Sequence, residues 1–145
     1  MKSRMLIWAL LAASTLAVGF GLVSAQPTEE TEVGKPGEKL TLVEAVMCED
    51  IDSGVPKNPT VVFSVLRDKA VCFTSFDPVP EKTVIYHNWF YRDKPSARVK
   101  LSLRPPHWST FSSIKLRETD KGPWRVEVSD SEGTILRILR FSITD

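Results

Sequence analysis

The spacing of turn signals constrains this fold more than any other feature of the sequence. After residue 39, a turn containing proline, glycine or aspartate recurs roughly every ten residues. The short segments between the turns are rich in Val, Ile, Thr, Phe and Trp, which favour strands. No helical period runs through them. The sequence therefore predicts an all-β domain over residues 40–145, an antiparallel β-sandwich of about eight short strands, immunoglobulin-like or jelly-roll-like.

Eight ranges carry the strand pattern, and residues 49–59 are predicted to be a loop. The predicted strands are Leu40–Cys48, Thr60–Leu66, Ala70–Phe76, Thr83–Tyr91, Ala97–Leu103, Ser112–Arg117, Trp124–Ser129 and Ile135–Thr144. The second and third of these should form a hairpin around Arg67-Asp68-Lys69.

The amino terminus has the features of a secretory signal peptide over residues 1–25. It starts with Lys2 and Arg4, continues with an uncharged run over 5–23, and ends in Val23-Ser24-Ala25, a pattern that signal peptidases cleave. Cleavage before Gln26 would place the protein in the periplasm or outside the cell. The alternative is a retained membrane anchor, since a bilayer span needs about 20 apolar residues.

Residues 26–39 are polar and contain two prolines and two glycines, so they are predicted to be a flexible linker. Removal of the leader leaves 145 − 25 = 120 residues, enough for one domain. Those residues carry 19 − 2 = 17 basic and 18 acidic side chains, a net charge of −1. That charge balance does not indicate a basic surface for nucleic acid, and no motif indicates a cofactor.

Cys48 and Cys72 are the two cysteines. In an exported chain an even count suggests a disulfide, and closing this loop would stabilise the fold by about 3 kcal/mol. The alternative is two buried free thiols that pack as small hydrophobic groups. The spacing does not fit a zinc site, and no metal site is expected.

Five blocks of sequence resemble the bacterial domain-of-unknown-function family 2914. They are Ala45–Glu49, Val71–Thr74, Ile85–Trp89, Trp108–Ser113 and Gly122–Val128, and their order and spacing fit over about Leu40–Ile143. The resemblance implies a small β-rich domain of exported or membrane-attached proteins. It implies no activity and no catalytic residues.

Two motifs allow a chemical and a structural interpretation. His87 or His107 could act as a general base for a serine within 109–113, yet no nucleophile elbow is present, and a hydrogen-bonded structural histidine is the simpler interpretation. Asp50-Ile51-Asp52-Ser53-Gly54 resembles the start of a calcium loop but lacks the closing acid, which favours an ordinary turn.

Aromatic and basic residues are the remaining candidates for a binding surface. Trp124 alternates with two valines and is predicted to be buried, and Trp108 to cover one end of the sheet. The basic residues are spread over several strands: Arg98, Lys100, Arg104, Arg117, Arg125, Arg137 and Arg140. On solvent faces they protect strand edges; a patch for peptidoglycan or lipid phosphates is the alternative.

The hairpin 83–103 has two possible registers, which differ in the direction of Trp89. With an even turn, an aromatic and basic face would bind a sugar, an anionic glycan or a peptide by stacking and cation–π contacts. Its residues would be His87, Trp89, Tyr91, Arg98 and Lys100, extended by Arg104 and Trp108. With an odd turn, in which one bulged residue reverses the parity, His87 and Trp89 enter the core and the face loses its platform.

The sequence favours a non-catalytic binding or assembly module of the bacterial envelope, with an envelope protein or glycan as partner. The predicted β-sandwich supports a binding function only by analogy, because one fold class hosts many unrelated functions. The alternatives are a small hydrolase using His87 or His107, and an accessory structural subunit that docks through a flat apolar patch.

Overall fold

The computed structural model describes residues 37–145, and these form two packed β-sheets. The signal peptide and most of the predicted linker lie outside the described residues. The strands are β1 (Leu42–Asp52), β2 (Val55–Pro59), β3 (Val62–Ser64), β4 (Lys69–Phe76), β5 (Thr83–Tyr91), β6 (Lys94–Leu103), β7 (Trp108–Lys115), β8 (Gly122–Ser129) and β9 (Ile135–Thr144). Sheet I has the order β2-β1-β4-β7, and sheet II has the order β3-β9-β8-β5-β6. The predicted β-sandwich is confirmed.

The predicted hairpin around Arg67-Asp68-Lys69 is wrong, because its two strands belong to different sheets. β3 pairs with β9 in sheet II, and β4 pairs with β1 and β7 in sheet I. The β3–β9 pair is parallel, whereas the other strand pairs of residues 37–145 are antiparallel. The short segment between β3 and β4 therefore crosses from one sheet to the other.

Residues 49–59, predicted as a loop, are instead part of a hairpin. β1 continues to Asp52, and β2 returns alongside it after the turn Ser53-Gly54, where φ is +50° and +78°. Positive φ at both central residues is the backbone of a tight hairpin turn. β2 carries Pro56 and Pro59, which an edge strand tolerates because one side of its backbone needs no hydrogen-bond partner.

The core lies between the sheets and is filled from both. β4 contributes Ala70, Cys72 and Phe76, while Ile85 and Trp89 come from β5. Phe63 and Phe141 meet edge to face with ring centroids 5.5 Å apart. Trp124 is buried, as its alternation with Val126 and Val128 predicts.

Cys48 and Cys72 are both buried free thiols, so the predicted disulfide is not formed. The two residues lie on neighbouring strands, where Cys48 pairs with Val71 and Cys72 pairs with Met47. Their side chains therefore leave opposite faces of sheet I. Cys72 enters the core, and Cys48 joins a smaller cluster with Val71 and Phe73 on the outer face of sheet I. The sheet itself separates the sulfur atoms.

We expect two free thiols per chain in protein denatured without reductant, measured with a thiol reagent. In the native protein labelling should be slow, because burial raises the pKa of both thiols and shields them. A sample reduced before denaturation supplies the full count for comparison. Loss of both thiols in the unreduced sample would contradict this arrangement.

Candidate functional site

The register of the β5–β6 hairpin decides which side chains can form a surface. Its turn is Arg92-Asp93, with φ of +47° and +64°, and Tyr91 pairs with Lys94. A bulge follows: Phe90 pairs with Pro95, but Trp89 pairs with Ala97, so Ser96 has no opposite residue. The extra residue reverses the parity of the rest of the hairpin.

The bulge turns the predicted aromatic platform into the core. His87 and Trp89 are both 0% exposed, so the predicted aromatic and basic face is wrong and Trp89 cannot serve as a surface for a ligand. The turn does hold two residues, as that arrangement assumed, but the bulge after it reverses the parity. Tyr91 is half-buried against Trp124, with ring centroids 4.9 Å apart. Arg98 and Lys100 lie on the opposite side of sheet II from Trp89, because they pair with residues 88 and 86.

Arg104 and Trp108 meet each other away from that hairpin face. The guanidinium of Arg104 lies 5.8 Å from the centroid of the Trp108 ring. Trp108 starts β7 in sheet I, pairs with Phe76 and packs half-buried against the main core, as its predicted position at a sheet end suggests. His107 precedes it and is exposed.

His87 connects the two sheets through a buried chain of hydrogen bonds. Its Nδ1 is 2.8 Å from Ser112 Oγ, and its Nε2 is 3.1 Å from Thr74 Oγ1. Trp89 Nε1 donates to Ser112 Oγ at 3.1 Å, and Thr74 Oγ1 donates to the carbonyl of Thr110 at 3.5 Å. His87 and Trp89 belong to sheet II, while Thr74, Thr110 and Ser112 belong to sheet I. We call this group the His87 relay.

In one tautomer of His87, every side-chain N–H and O–H of the His87 relay donates a hydrogen bond. Trp89 donates to Ser112, whose hydroxyl donates to Nδ1 of His87; Nε2–H of His87 then donates to Thr74, which donates to the Thr110 carbonyl. The other tautomer would leave the Ser112 hydroxyl hydrogen without an acceptor in this group. We therefore assign the neutral imidazole with its proton on Nε2.

The electrostatics of the His87 relay favour a neutral ring. Burial lowers the pKa of His87 from 6.5 to about 4, because a charged imidazolium would lose its hydration. Ser112 is only 7% exposed, and the serine–histidine contact is closed off by the two sheets. The sequence raised a general base and a structural histidine as alternatives; this geometry favours the structural one.

The side of sheet II that faces away from the core carries aromatic and charged side chains in alternation. We call it the outer face of sheet II. Its residues are Tyr86, Asn88, Phe90, Arg98, Lys100, Arg125, Glu127 and Arg140. The Arg98 guanidinium lies 3.9 Å from the Tyr86 ring centroid, and that of Arg125 lies 4.0 Å from the Phe90 ring centroid. These are cation–π distances.

Charge is only partly balanced on this outer face. Arg125 is paired with Asp93 and with Glu127, the latter at 2.8 Å between Nε and Oε1. Within residues 37–145, neither Arg98 nor Lys100 nor Arg140 forms an ion pair with a carboxylate. The face therefore offers positive charge beside two half-buried aromatic rings.

A shallow groove of about 290 Å³ runs along the bulge on this face. Asn88, Phe90 and Arg98 line it together with the Pro95–Ala97 segment. Sequence reasoning identified Arg98 and Lys100 but assigned them to the wrong aromatic partners. The alternation of side chains along β5 placed Tyr86 and Phe90 on the same face of the strand. Without the register of the hairpin, the sequence did not show whether that face is core or solvent.

Mixed charges cluster at one end of sheet I, where a calcium loop was the less favoured interpretation. Asp50 Oδ1 accepts the Ile51 amide at 2.8 Å and pairs with Lys69 at 2.7 Å, and this bond with Lys69 lowers the pKa of Asp50. Arg67 pairs with Glu49 at 3.2 Å. In the part of the chain that the structure describes, no three Asp, Glu, His or Cys side chains converge on a common point.

The described residues define a β-sandwich domain with an apolar core, a buried group of hydrogen bonds around His87, and a cationic, aromatic outer face on sheet II. Over residues 82–143 the chain matches the model of the family described as Protein of unknown function (DUF2914). This confirms the resemblance seen in the sequence over a narrower range, from the start of β5 to the end of β9. No curated protein matches the chain. Within residues 37–145 there is no helix of the length and hydropathy needed to cross a bilayer.

The His87 relay predicts a specific loss of stability in acid. In the unfolded chain His87 takes up a proton near pH 6.5, but in the folded chain only near pH 4, so the free energy of unfolding falls as pH decreases between these values. The loss should reach about 3 kcal/mol near pH 4. Urea unfolding at a series of pH values measures it.

His87→Gln isolates this contribution, since an amide does not titrate. The stability difference between wild type and this variant should shrink by about 3 kcal/mol from pH 7 to pH 4. His107→Gln removes the exposed histidine and should follow the wild type. Parallel curves for wild type and His87→Gln would contradict a buried neutral imidazole.

Proposed function

We propose that this protein is an exported, non-catalytic binding module of the bacterial envelope that binds an anionic glycan through the outer face of sheet II. One observation supports this most strongly: Tyr86 and Phe90 present their rings beside guanidinium groups on an open strand face. Aromatic rings stack on sugar rings, and nearby cations attract the acidic groups of such a ligand.

The shape of the outer face suits an extended ligand better than an enclosed small molecule. The groove beside Phe90 is open, and a second, smaller recess lies on the other side of Phe90, at the turn Arg92-Asp93. A rigid β-sheet holds these side chains at fixed spacing, so little conformational entropy would be lost on binding. The leader over residues 1–25 supports the envelope as the location of the ligand.

The test is binding of the purified protein to isolated peptidoglycan sacculi in a pelleting assay. Tyr86→Ala and Phe90→Ala should each weaken binding about 2- to 30-fold, the range of one stacking or cation–π contact. Phe111→Ala is the matched control, because Phe111 is 51% exposed and lies on the outer face of sheet I. It should bind like the wild type.

Two outcomes would overturn the assignment of this face. Equal binding by all of these variants would exclude the two rings from the interface. Selective loss in Phe111→Ala would move the interface to sheet I and favour docking through its apolar cluster. Melting temperatures of all variants separate lost contacts from lost folding.

Export has its own test, which is independent of the ligand. Protein recovered from outside the cytoplasm should have the intact mass of a chain that begins at Gln26. A mass that includes residues 1–25 would show that the leader is retained as an anchor.

A further inference from the structure

A small recess lies at the turn end of the outer face of sheet II, where three arginines converge. It has a volume of about 110 Å³. Its lining consists of Phe90, Arg92, Asp93, Pro123, Trp124, Arg125 and Arg140. Three guanidinium groups and one carboxylate leave a net charge of +2 on the lining.

Two of these arginines oppose each other directly across neighbouring strands. Arg125 of β8 pairs with Arg140 of β9, and both side chains leave the same face of the sheet. Like charges in this position destabilise a sheet. Asp93 and Glu127 neutralise Arg125 and hold it over Phe90. Arg140 is exposed, and within residues 37–145 no carboxylate pairs with it.

Arg92 completes the recess from the hairpin turn. Its Nε donates to Tyr91 Oη at 3.0 Å and its Nη2 donates to the Lys121 carbonyl at 3.3 Å, so the guanidinium is fixed in place without a carboxylate. Gly122 makes room for it: a Cβ at that position would lie 3.1 Å from Nη2. Gly122 also has φ of +124°, which other residues rarely adopt.

We propose that this recess binds a phosphate group, held by Arg92 and Arg140. The inference rests on the proposed function, since it assigns the anionic group that the outer face of sheet II recognises. Planar guanidinium forks match the oxygen spacing of phosphate, and a bound anion relieves the repulsion between the paired arginines. Within residues 37–145 neither Arg92 nor Arg140 forms an ion pair with a carboxylate, so two guanidinium groups remain to bind the oxygens of a phosphate.

The experiment measures the melting temperature of the full chain against inorganic phosphate at constant ionic strength, with sodium chloride as the ionic balance. Phosphate should raise the melting temperature of the wild type by mass action. Arg140→Gln should weaken the apparent affinity about tenfold or more. Without phosphate this variant should be as stable as the wild type or more stable, because the repulsion is removed.

Arg137→Gln is the matched control. Arg137 lies on the same strand, three residues away, is exposed, and points to the other side of sheet II because it pairs with Val128. It should keep the phosphate response. An equal response in Arg140→Gln, or no response beyond that of chloride in the wild type, would overturn the site.

Two further arms identify the source of the phosphate. Glycerol phosphate should compete with inorganic phosphate for the recess if the natural ligand is a soluble or glycan-linked phosphate. Pelleting with vesicles of phosphatidylglycerol in phosphatidylcholine tests a lipid headgroup. A phosphate response in the wild type, together with no binding of the wild-type protein to sacculi, would remove the proposed glycan function and leave this site intact.

Discussion

The sandwich depends on one polar contact in an otherwise apolar interior, the hydrogen-bonded imidazole of His87. A buried polar ring is costly unless both nitrogens have partners, and both of these do, on strands of the opposite sheet. The hydrophobic effect is non-directional, whereas a hydrogen bond requires a defined distance and angle. The relay therefore fixes how sheet II sits on sheet I, and within residues 37–145 every buried polar side-chain atom is satisfied.

The same contact explains why the bulge in β6 matters. Without Ser96 as an extra residue, the residues of β6 that pair with Trp89 and His87 would turn to the other side of the sheet. The bulge lets a tight turn with positive φ coexist with an apolar inner face formed by Val99, Leu101 and Leu103. It also widens the strand edge beside Phe90, where the open groove lies.

The strands of the second half of the chain could be predicted because their alternation is strict. Trp124, Val126 and Val128 point inward in β8 as expected. The pairing of β3 with β9 could not be predicted, since a short apolar segment carries no mark of its partner strand, and the nearest candidate in sequence was the wrong one. β2 was missed because its two prolines indicate a loop unless the strand is known to be at an edge.

The candidate site was predictable in composition but not in geometry. Arg98 and Lys100 do lie on a solvent face, beside Tyr86 instead of Trp89. One unpaired residue in β6, Ser96, decided this, and local sequence does not specify it. The opposition of Arg125 and Arg140 needed the register of two strands separated by a turn with its own bulge.

The parallel pairing of β3 with β9 has a consequence for how the chain acquires its structure. Residues 62–64 pair with residues 142–144, and the buried ring of Phe63 packs edge to face against Phe141. A strand synthesised early must therefore wait for the last strand, which joins it to β8. Contacts between residues this distant in sequence form late and slow the folding of the domain. Until then β3 has an unpaired edge, which exposes the folding chain to aggregation and to binding by chaperones.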